Sequence, residues 1–367
     1  MKTRAIIFSF FLALSALCRA QIPVVTPTVA VTPTPTVSAT ATPGSSPNGT
    51  PNVYPGTPTP TISPAAPTPA ELDTFYQPPT TDAQTGTKLE WRAFVPTDGA
   101  GKWPVVIILH IGGYHNGSYY DSLNTAPQDL ADAGFYTVVA SYPLAPKNLI
   151  KNQYPHDASP RGIASGRPPQ QTRAVEALVS AAKGDTHCLN NLVAVLGGSA
   201  GAGHAAFIAL DETDTFGVWP FWKDQARPKF VACLSGQYDF AERDMDVDSH
   251  FIDNTENYTN STTPMEQWNA SPIAQIKLLL PTFIPMYFIR SENDPGSAAS
   301  QQYYMWNALT RAGASPSLFR MWTIPDSDNH AFGYWNDRTY DSYPLSTTNI
   351  DFKVKDRVIG FFKQYLK

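Results

Sequence analysis

The sequence predicts an α/β fold with a mostly parallel central sheet and helices on both of its faces. Its strand candidates are near-continuous apolar runs, such as WPVVIILHI (103–111) and NLVAVLGG (191–198). Strands that are buried on both faces have this composition. Helical stretches separate the strands, as in PPQQTRAVEALVSAAKG (168–184), which begins with proline and ends with glycine. This alternation is typical of parallel strands joined by crossover helices.

The remaining elements continue the same alternation along the chain. Further strand candidates are KLEWRAFVP (88–96), FYTVVASY (135–142), KFVACLSG (229–236), IPMYFIRS (284–291) and SLFRMWTI (317–324). Further helix candidates are SLNTAPQDLADAG (122–134), AGAGHAAFIAL (200–210), AASQQYYMWNALTRAG (298–313) and DFKVKDRVIGFFKQYLK (351–367). Two long stretches without periodicity, Pro143 to Gly166 and Tyr238 to Ser271, predict loops that wall or cover a site.

Composition excludes some classes of partner. The chain has 367 residues with a formal net charge of -5, and no basic block or basic helix stands out. Nucleic acid and acidic membrane surfaces are therefore not expected as partners. Cys188 and Cys233 lie near predicted core strands, so we expect two separately buried thiols. The alternative is a disulfide between them, which an exported protein can form.

The N-terminal part of the chain differs from the rest. Residues 1–20 have the charged start, short apolar stretch and small-residue end of a secretory signal, with cleavage after Ala20. A membrane anchor, or a lipoprotein signal that uses Cys18, is the alternative. Residues 21–70 include no charged residue and are rich in alternating proline and threonine. This composition predicts a disordered linker, or a disordered tail that has no function. Residues 71–367 then form the folded domain, and we expect it to be secreted, periplasmic or at the cell surface, without stable membrane insertion.

A serine nucleophile is predicted where the strand 191–198 runs into a helix. The pattern Gly-x-Ser-x-Gly occurs there at Gly197, Ser199 and Gly201. Small neighbours allow a tight, strained turn that projects the serine hydroxyl from the sheet edge. A phosphate-binding loop is disfavoured because no Gly-Lys-Ser/Thr follows, and a dinucleotide site because the first strand–helix unit lacks its fingerprint.

A base and an orienting acid are predicted after two later strands. A serine hydroxyl needs a neighbouring base, and His330 lies after the strand 317–324 and before the last helix. Asp294 follows the strand 284–291 and is our choice for the acid, with Glu292 as the rival. A turn at Asp294 and a hydrogen-bonded loop histidine are the alternatives for each residue taken alone.

These motifs resemble those of the α/β-hydrolase fold and, within it, of carboxylesterases similar to hormone-sensitive lipase. The resemblance covers roughly Lys88 to Lys367. It is carried by HIGGY (110–114), SYPLAP (141–146), GGSAG (197–201) and DNHAF (328–332), together with SGQYD (235–239) and the Ser271-Pro272 pair. Ile111, Pro143 and Gly198 depart from the family pattern, which has glycine, arginine and aspartate there. The family's N-terminal helical cap has no counterpart.

The resemblance implies a function and a set of roles. Ser199 is acylated, His330 acts as base and then acid, Asp294 holds the imidazole, and the amides of Gly112, Gly113 and Ala200 form an oxyanion hole. No metal or cofactor is implied. Four aromatic residues near the site either stack on a sugar or phenolic group or pack in the core: Tyr114, Tyr119, Tyr334 and Trp335.

The predicted function is that of a secreted serine carboxylesterase that acts on small or polysaccharide-linked esters. An open site without a cap is similar to secreted esterases that remove acetyl or feruloyl groups from plant polysaccharides. Two alternatives remain: a serine exopeptidase of the same fold, and a catalytically silent hydrolase fold that binds or adheres.

Overall fold

The computed structural model describes the greater part of the chain after residue 69. The described residues are 70–76, 89–99, 101–121, 123–145, 166–210, 227–242, 249–276, 283–339 and 352–366. The chain divides into two units, Met1–Ser63 and Pro64–Lys367, and every described residue belongs to the second unit. The predicted signal segment, and the predicted linker except for its last residue, Ala70, lie outside the described residues.

The centre of the described unit is an eight-stranded sheet. Its strands are β1 (Ala70–Tyr76), β2 (Leu89–Val95), β3 (Trp103–Leu109), β4 (Tyr136–Ala140), β5 (Cys188–Gly198), β6 (Phe230–Leu234), β7 (Met286–Ser291) and β8 (Phe319–Ile324). Their order across the sheet is β1-β2-β4-β3-β5-β6-β7-β8. Strand β2 pairs antiparallel with both of its neighbours, and all other pairs are parallel. The carboxyl ends of β3 to β8 therefore meet at one edge.

Seven helices surround or adjoin the sheet in the described residues. They are α1 (Ala126–Asp132), α2 (Gln170–Gly184), α3 (Ala200–Leu210), α4 (Ser249–Thr259), α5 (Pro264–Ala270), α6 (Ala299–Arg311) and α7 (Val354–Tyr365). Short 3₁₀ turns span Pro272–Gln275 and Ala331–Tyr334, and a two-stranded ribbon joins β9 (Arg338–Thr339) to β10 (Phe352–Lys353). No helix in these ranges has the length and apolarity needed to cross a bilayer.

The alternation of side chains along β3 explains why helices cover both faces. Val105 and Ile107 point into one buried cluster, which residues of α2, α3 and α6 complete. Val106 and Ile108 point into the other, which residues of α1 and α7 complete. A strand whose two faces are both buried reads as a continuous apolar run, as β3 does. Cys188 is buried and forms no disulfide, and the same holds for Cys233.

The predicted strands and helices from β2 onward all have counterparts in the structure, within a few residues at their ends. The last helix buries Val354, Val358 and Phe361, as its periodicity predicts. Strand β1 was not predicted. The loop predicted over Tyr238 to Ser271 was wrong in part, because α4 and α5 lie within it.

Helix α4 escaped prediction because its buried face carries polar as well as apolar side chains. Its buried residues include Asn254 and Asn257 beside Phe251 and Tyr258. Hydrophobic periodicity alone does not detect such a face. Of the other predicted loop, residues 146–165 lie outside the described part of the chain.

Candidate active site

Ser199 sits on a tight turn between β5 and α3. Its backbone is in the left-handed region, with φ of 52°, which is strained for a residue other than glycine. The turn is fixed by the Ser199 N–H, which donates to the Leu234 carbonyl at 2.8 Å, and by the Ser199 carbonyl, which accepts from Ala202 at 3.0 Å. This is the strand–turn–helix geometry that a nucleophile elbow requires.

The glycines on either side of Ser199 are required by close backbone contacts. A Cβ on Gly197 would lie 2.2 Å from the carbonyl oxygen of Gly201. A Cβ on Gly201 would lie 2.6 Å from the carbonyl oxygens of His110 and Leu109. The Gly-x-Ser-x-Gly pattern therefore lets strand β5 turn into α3 directly against the end of β3.

His330 and Asp294 form a hydrogen-bonded pair at the same sheet edge. The Nδ1 atom of His330 lies 2.7 Å from Oδ1 of Asp294. The aspartate side chain is fully buried, whereas a quarter of the histidine side chain, 25%, remains exposed. With the carboxylate ionised, Nδ1 carries the proton and Nε2 is left to accept one, which is the tautomer a general base needs.

The structure decides between the two acids considered for this pair. Glu292 is exposed, and its Oε2 accepts from the Asp326 N–H at 2.9 Å instead of from His330. Asp294 also accepts from the Gly296 N–H at 2.8 Å, through the same Oδ1 that His330 contacts. Its position is thus held from the turn that follows β7.

The loop that carries His330 packs directly onto the serine turn. Phe332 lies so close to Gly198 that a Cβ on that glycine would stand 2.6 Å from its Cε2 atom. Ser199, Asp294 and His330 therefore follow β5, β7 and β8 at one sheet edge. The roles assigned to these residues stay predictions until activity is measured.

The loop after β3 forms a tight turn at Gly112. The Gly112 carbonyl accepts from the N–H groups of His115 at 3.2 Å and Asn116 at 2.9 Å. Within the described part of the chain, the N–H groups of Gly112 and Gly113 have no hydrogen-bond acceptor. Free N–H groups beside a nucleophile are what an oxyanion hole requires. Ala200, the third expected donor, is the first residue of α3.

His110 has a structural role in this loop. Its ring is buried and stacks on Tyr142, with centroids 4.0 Å apart. Nδ1 lies 2.7 Å from the Ile111 carbonyl, and burial lowers the pKa of the imidazole. The Ile111 side chain packs against the hydrophobic cluster that lines β3 and α7, which explains how the loop tolerates a residue other than glycine there.

A buried polar network lies behind the loop and was missed by sequence reasoning. The side-chain amide of Gln171 donates to the Tyr114 carbonyl at 2.7 Å. Its oxygen lies 2.7 Å from Nε2 of His204, which donates to it. Burial lowers the pKa of His204 to about 3, so this histidine is neutral. Asn254 of α4 packs against Gly113 from the other side. No local sequence signal marks Gln171 or Asn254.

The four aromatic residues considered for substrate binding require a correction. Tyr114, Tyr334 and Trp335 are each 0% exposed and Tyr119 is 5% exposed. Tyr114 stacks on Tyr258 with ring centroids 4.3 Å apart, and Trp335 donates to Asp129 at 2.8 Å. Side chains enclosed in this way cannot present a ring face to a ligand. Core packing, the alternative considered for them, is what the structure supports.

The described residues contain no group of three or more histidine, cysteine, aspartate or glutamate side chains arranged to hold a metal ion.

The fold defines the class of this protein. A mostly parallel sheet with one antiparallel strand, and a Gly-x-Ser-x-Gly turn after β5, is the α/β-hydrolase fold. No protein-family model matches the sequence, and no curated protein matches it either.

Solved structures share the fold at low sequence identity. A truncated carbohydrate esterase from gut microbiota matches 80% of this chain and 96% of its own, with a TM-score of 0.54 and 13% identity. An acetyl ester-xyloside bifunctional hydrolase from Caldicellulosiruptor lactoaceticus matches 82% of this chain and 98% of its own, with a TM-score of 0.56 and 15% identity. An α/β-hydrolase enzyme from the metagenome of Lake Arreo matches 72% and 76%, with a TM-score of 0.52 and 16% identity. The similarity establishes the fold.

Proposed function

We propose that this chain is a secreted serine carboxylesterase that works through an acyl-enzyme. The observation that carries the proposal is the His330–Asp294 hydrogen bond of 2.7 Å at the sheet edge where Ser199 occupies its strained turn. A paired base and acid at that edge, a nucleophile elbow and a loop with free N–H groups are the parts that acyl transfer needs.

The proposed reaction begins with attack of the Ser199 Oγ on the ester carbonyl carbon. The serine proton passes to Nε2 of His330, while Asp294 remains ionised and stabilises the imidazolium. The negative charge on the carbonyl oxygen is held by the N–H groups of Gly112, Gly113 and Ala200. Loss of one such donor costs about 3 kcal/mol of transition-state stabilisation in other enzymes.

The tetrahedral species then breaks its bond to the alcohol oxygen. That oxygen takes the proton from His330 and the alcohol leaves, so the acyl group stays on Ser199. Water repeats the attack in the second half: it gives a proton to His330, its oxygen bonds to the acyl carbon, and Ser199 leaves and recovers its proton. Ester and water are consumed and acid and alcohol are formed, with no other reactant.

For the substrate, we propose a short or aromatic acyl ester, such as acetyl or feruloyl groups on plant polysaccharide. Two of the structures with the same fold are named as a carbohydrate esterase and an acetyl ester-xyloside hydrolase, which makes carbohydrate esters the first compounds to test. The buried state of the four aromatic residues leaves the residues that contact the sugar or phenol unassigned.

Turnover of model esters tests the function. Ser199→Ala is expected to lower kcat for 4-nitrophenyl acetate by ~10⁴-fold or more and to leave the unfolding midpoint unchanged. Ser315→Ala removes an exposed serine hydroxyl and is the matched control, expected to keep full activity. Retained turnover in Ser199→Ala overturns the assignment of the nucleophile.

The same protein separates the alternatives. A panel of acetyl, butyryl, longer-acyl and feruloyl esters, run beside peptide anilides, distinguishes an esterase from an exopeptidase. A fluorophosphonate probe is expected to label the wild type and not Ser199→Ala, and a silent binding fold does not label at all.

Secretion is tested on the full-length chain. We expect the exported protein to begin at Gln21, because the proposed cleavage follows Ala20. N-terminal sequencing of protein recovered from the medium or periplasm checks this, and an uncleaved N-terminus or a lipid-modified Cys18 contradicts it.

A further inference from the structure

Ser235 lies at the centre of the proposed site although it was not predicted to belong to it. It directly follows β6, the strand between β5 and β7 in the sheet, so it lies at the edge where Ser199 and Asp294 also lie. Its side chain is completely buried. In the sequence, Ser235 was marked only by the SGQYD motif (235–239), which resembles a motif of the carboxylesterases.

The hydroxyl of Ser235 contacts the Asp294 carboxylate and the peptide N–H that directly follows His330. It donates to Oδ2 of Asp294 in a very short hydrogen bond. It accepts from the backbone N–H of Ala331, the residue next to His330, at 2.9 Å. One oxygen atom thus holds the acid by its side chain and the base by its backbone.

The direction of donation follows from the acceptor, because an ionised carboxylate has no proton to give. The hydroxyl of Tyr334 lies 3.0 Å from the Ser235 oxygen and donates its own proton to the Ile289 carbonyl at 2.9 Å. The Ala331 N–H fills an acceptor position of Ser235. Ser235 uses its single proton in the bond to Oδ2 of Asp294, which is shorter than its contact with Tyr334.

The two oxygens of the Asp294 carboxylate have separate partners. Oδ1 accepts from His330 and from the Gly296 N–H, whereas Oδ2 accepts from Ser235. A carboxylate held at both oxygens cannot rotate about its last bond without breaking a hydrogen bond. The orientation of His330 follows from that of the carboxylate.

The backbone conformation at Ser235 supports a role for its hydroxyl. Its φ is 53°, in the left-handed region. Residues with a Cβ are strained in this conformation, whereas glycine adopts it readily. The turn alone would therefore be served better by glycine, and the serine supplies the hydroxyl that glycine lacks.

We propose that Ser235 is a positioning residue for the esterase reaction: its hydroxyl fixes the Asp294 carboxylate and the His330 backbone relative to each other. This inference rests on the proposed function. It assigns no contact of Ser235 with the substrate.

Two substitutions at one position separate positioning from a merely structural role. Ser235→Gly removes the hydroxyl and relaxes the backbone, while Ser235→Ala removes the hydroxyl and keeps the strain. We expect kcat to fall by 10- to 100-fold, about the effect of a small misplacement of a catalytic group, and by the same factor in both variants. KM is expected to stay within about twofold of the wild type, and the glycine variant to unfold at the higher urea concentration of the two.

A matched control is available at the same sheet edge. Ser297 is also buried, and its hydroxyl donates to the Gly236 carbonyl at 2.9 Å and makes no hydrogen bond to Asp294 or His330. Ser297→Ala therefore removes a buried serine hydroxyl without touching Asp294 or His330. We expect its kcat to match that of the wild type.

A spectroscopic readout makes the test independent of turnover. The Nδ1 proton of His330, bonded to Asp294, gives a far-downfield proton NMR resonance. We expect this resonance to shift or broaden in both Ser235 variants and to stay in place in Ser297→Ala.

Activity that follows stability, with Ser235→Gly close to wild type and Ser235→Ala reduced, overturns the positioning role. So does an unmoved resonance in both variants. If the wild type itself hydrolyses no ester, the proposed function fails, and the resonance alone still decides whether Ser235 holds the pair.

Discussion

The imidazole ring of His330 lies against the bare Cα of Gly296. A Cβ on Gly296 would stand 2.6 Å from Cε1 of the ring and 3.1 Å from Nε2. The Gly296 N–H also donates to the Asp294 carboxylate at 2.8 Å. Gly296 therefore donates a hydrogen bond to Asp294 and, because it has no side chain, also leaves space for the His330 ring.

Gly296→Ala is predicted to slow catalysis while it leaves the fold intact. The added methyl group displaces the imidazole ring, so we expect kcat to fall about 10- to 100-fold with little change in KM. Gly333→Ala is the control, because a Cβ there meets only an ordinary contact, 3.6 Å from Asn329. Steady-state kinetics of both variants check the prediction, and wild-type kcat in Gly296→Ala contradicts it.

Two positions near Ser199 differ from the motifs of the carboxylesterases that the sequence resembles, and they are neighbours in space. A Cβ on Gly198 would lie 2.9 Å from Cγ2 of Ile111 and 2.6 Å from the ring of Phe332. Those esterases have glycine and aspartate at these two positions, whereas this chain has Ile111 and Gly198. The larger residue in the loop and the smaller residue before Ser199 thus compensate for each other.

This compensation predicts an energetic coupling. Gly198→Ala is expected to cost about 1–3 kcal/mol of unfolding free energy, as overpacking does. In the Gly198→Ala and Ile111→Ala double variant the clash with Ile111 is relieved, so the double variant should be more stable than the sum of the single effects by at least about 0.5 kcal/mol. Urea unfolding of the four proteins measures the cycle, and strict additivity rejects the coupling.

Sequence reasoning recovered the parts of the site that local pattern encodes. Ser199, Asp294 and His330 each follow an apolar strand, and parallel strands bring their carboxyl ends to one edge. Their placement at that edge therefore follows from strand order. The glycines of the loop after β3 were likewise visible as a local motif.

The parts that it missed depend on contacts between distant segments. Ser235 meets Asp294 across 59 positions of sequence, and Gln171 meets Tyr114 across 57. The sequence around Ser235 or Gln171 contains no pattern that identifies the partner residue. The aromatic residues show the same limit, because Tyr334 and Trp335 have the same local sequence whether they face the substrate or, as found, the core.

Gln171 is predicted to support the oxyanion loop from behind. Gln171→Leu leaves the His204 N–H without its acceptor and removes one of two donors to the Tyr114 carbonyl; the Ala145 N–H remains at 2.8 Å. Unpaired buried polar groups cost about 1–3 kcal/mol each, so we expect a loss of stability in that range and a lower kcat. Urea unfolding and kinetics measure the two effects.

The adjacent residue provides the control for this substitution. Gln170 is half-buried at the start of α2, and its side chain makes no hydrogen bond to the loop among the described residues. Gln170→Leu removes a buried oxygen that has no hydrogen-bond partner, so it should keep kcat close to wild type and cause no loss of stability. Equal effects of the two substitutions would show that the change in helix α2, rather than the bond to Tyr114, is responsible.

The buried histidine of the same network predicts how stability depends on pH. Burial, and to a lesser extent nearby His110, lower the pKa of His204 from 6.5 to about 3. Between these values the unfolded chain binds a proton at this position that the folded protein does not. Acidification therefore favours unfolding: the contribution of neutral His204 is fully present above about pH 6.5 and is lost progressively as the pH falls.

His204→Gln removes this titration and keeps a side-chain donor in the network. One proton of difference corresponds to a slope of at most about 1.4 kcal/mol per pH unit, so the unfolding free energy of the variant should fall less steeply with acid by up to that amount. Urea unfolding at several pH values from 7 down to 4 measures the slope. The variant keeps part of the acid sensitivity, because burial also lowers the pKa of His110. Equal slopes of unfolding free energy against pH in the two proteins would contradict the prediction. They would show that His204 takes up a proton in the folded protein as readily as in the unfolded chain, so that an imidazolium donates to Gln171.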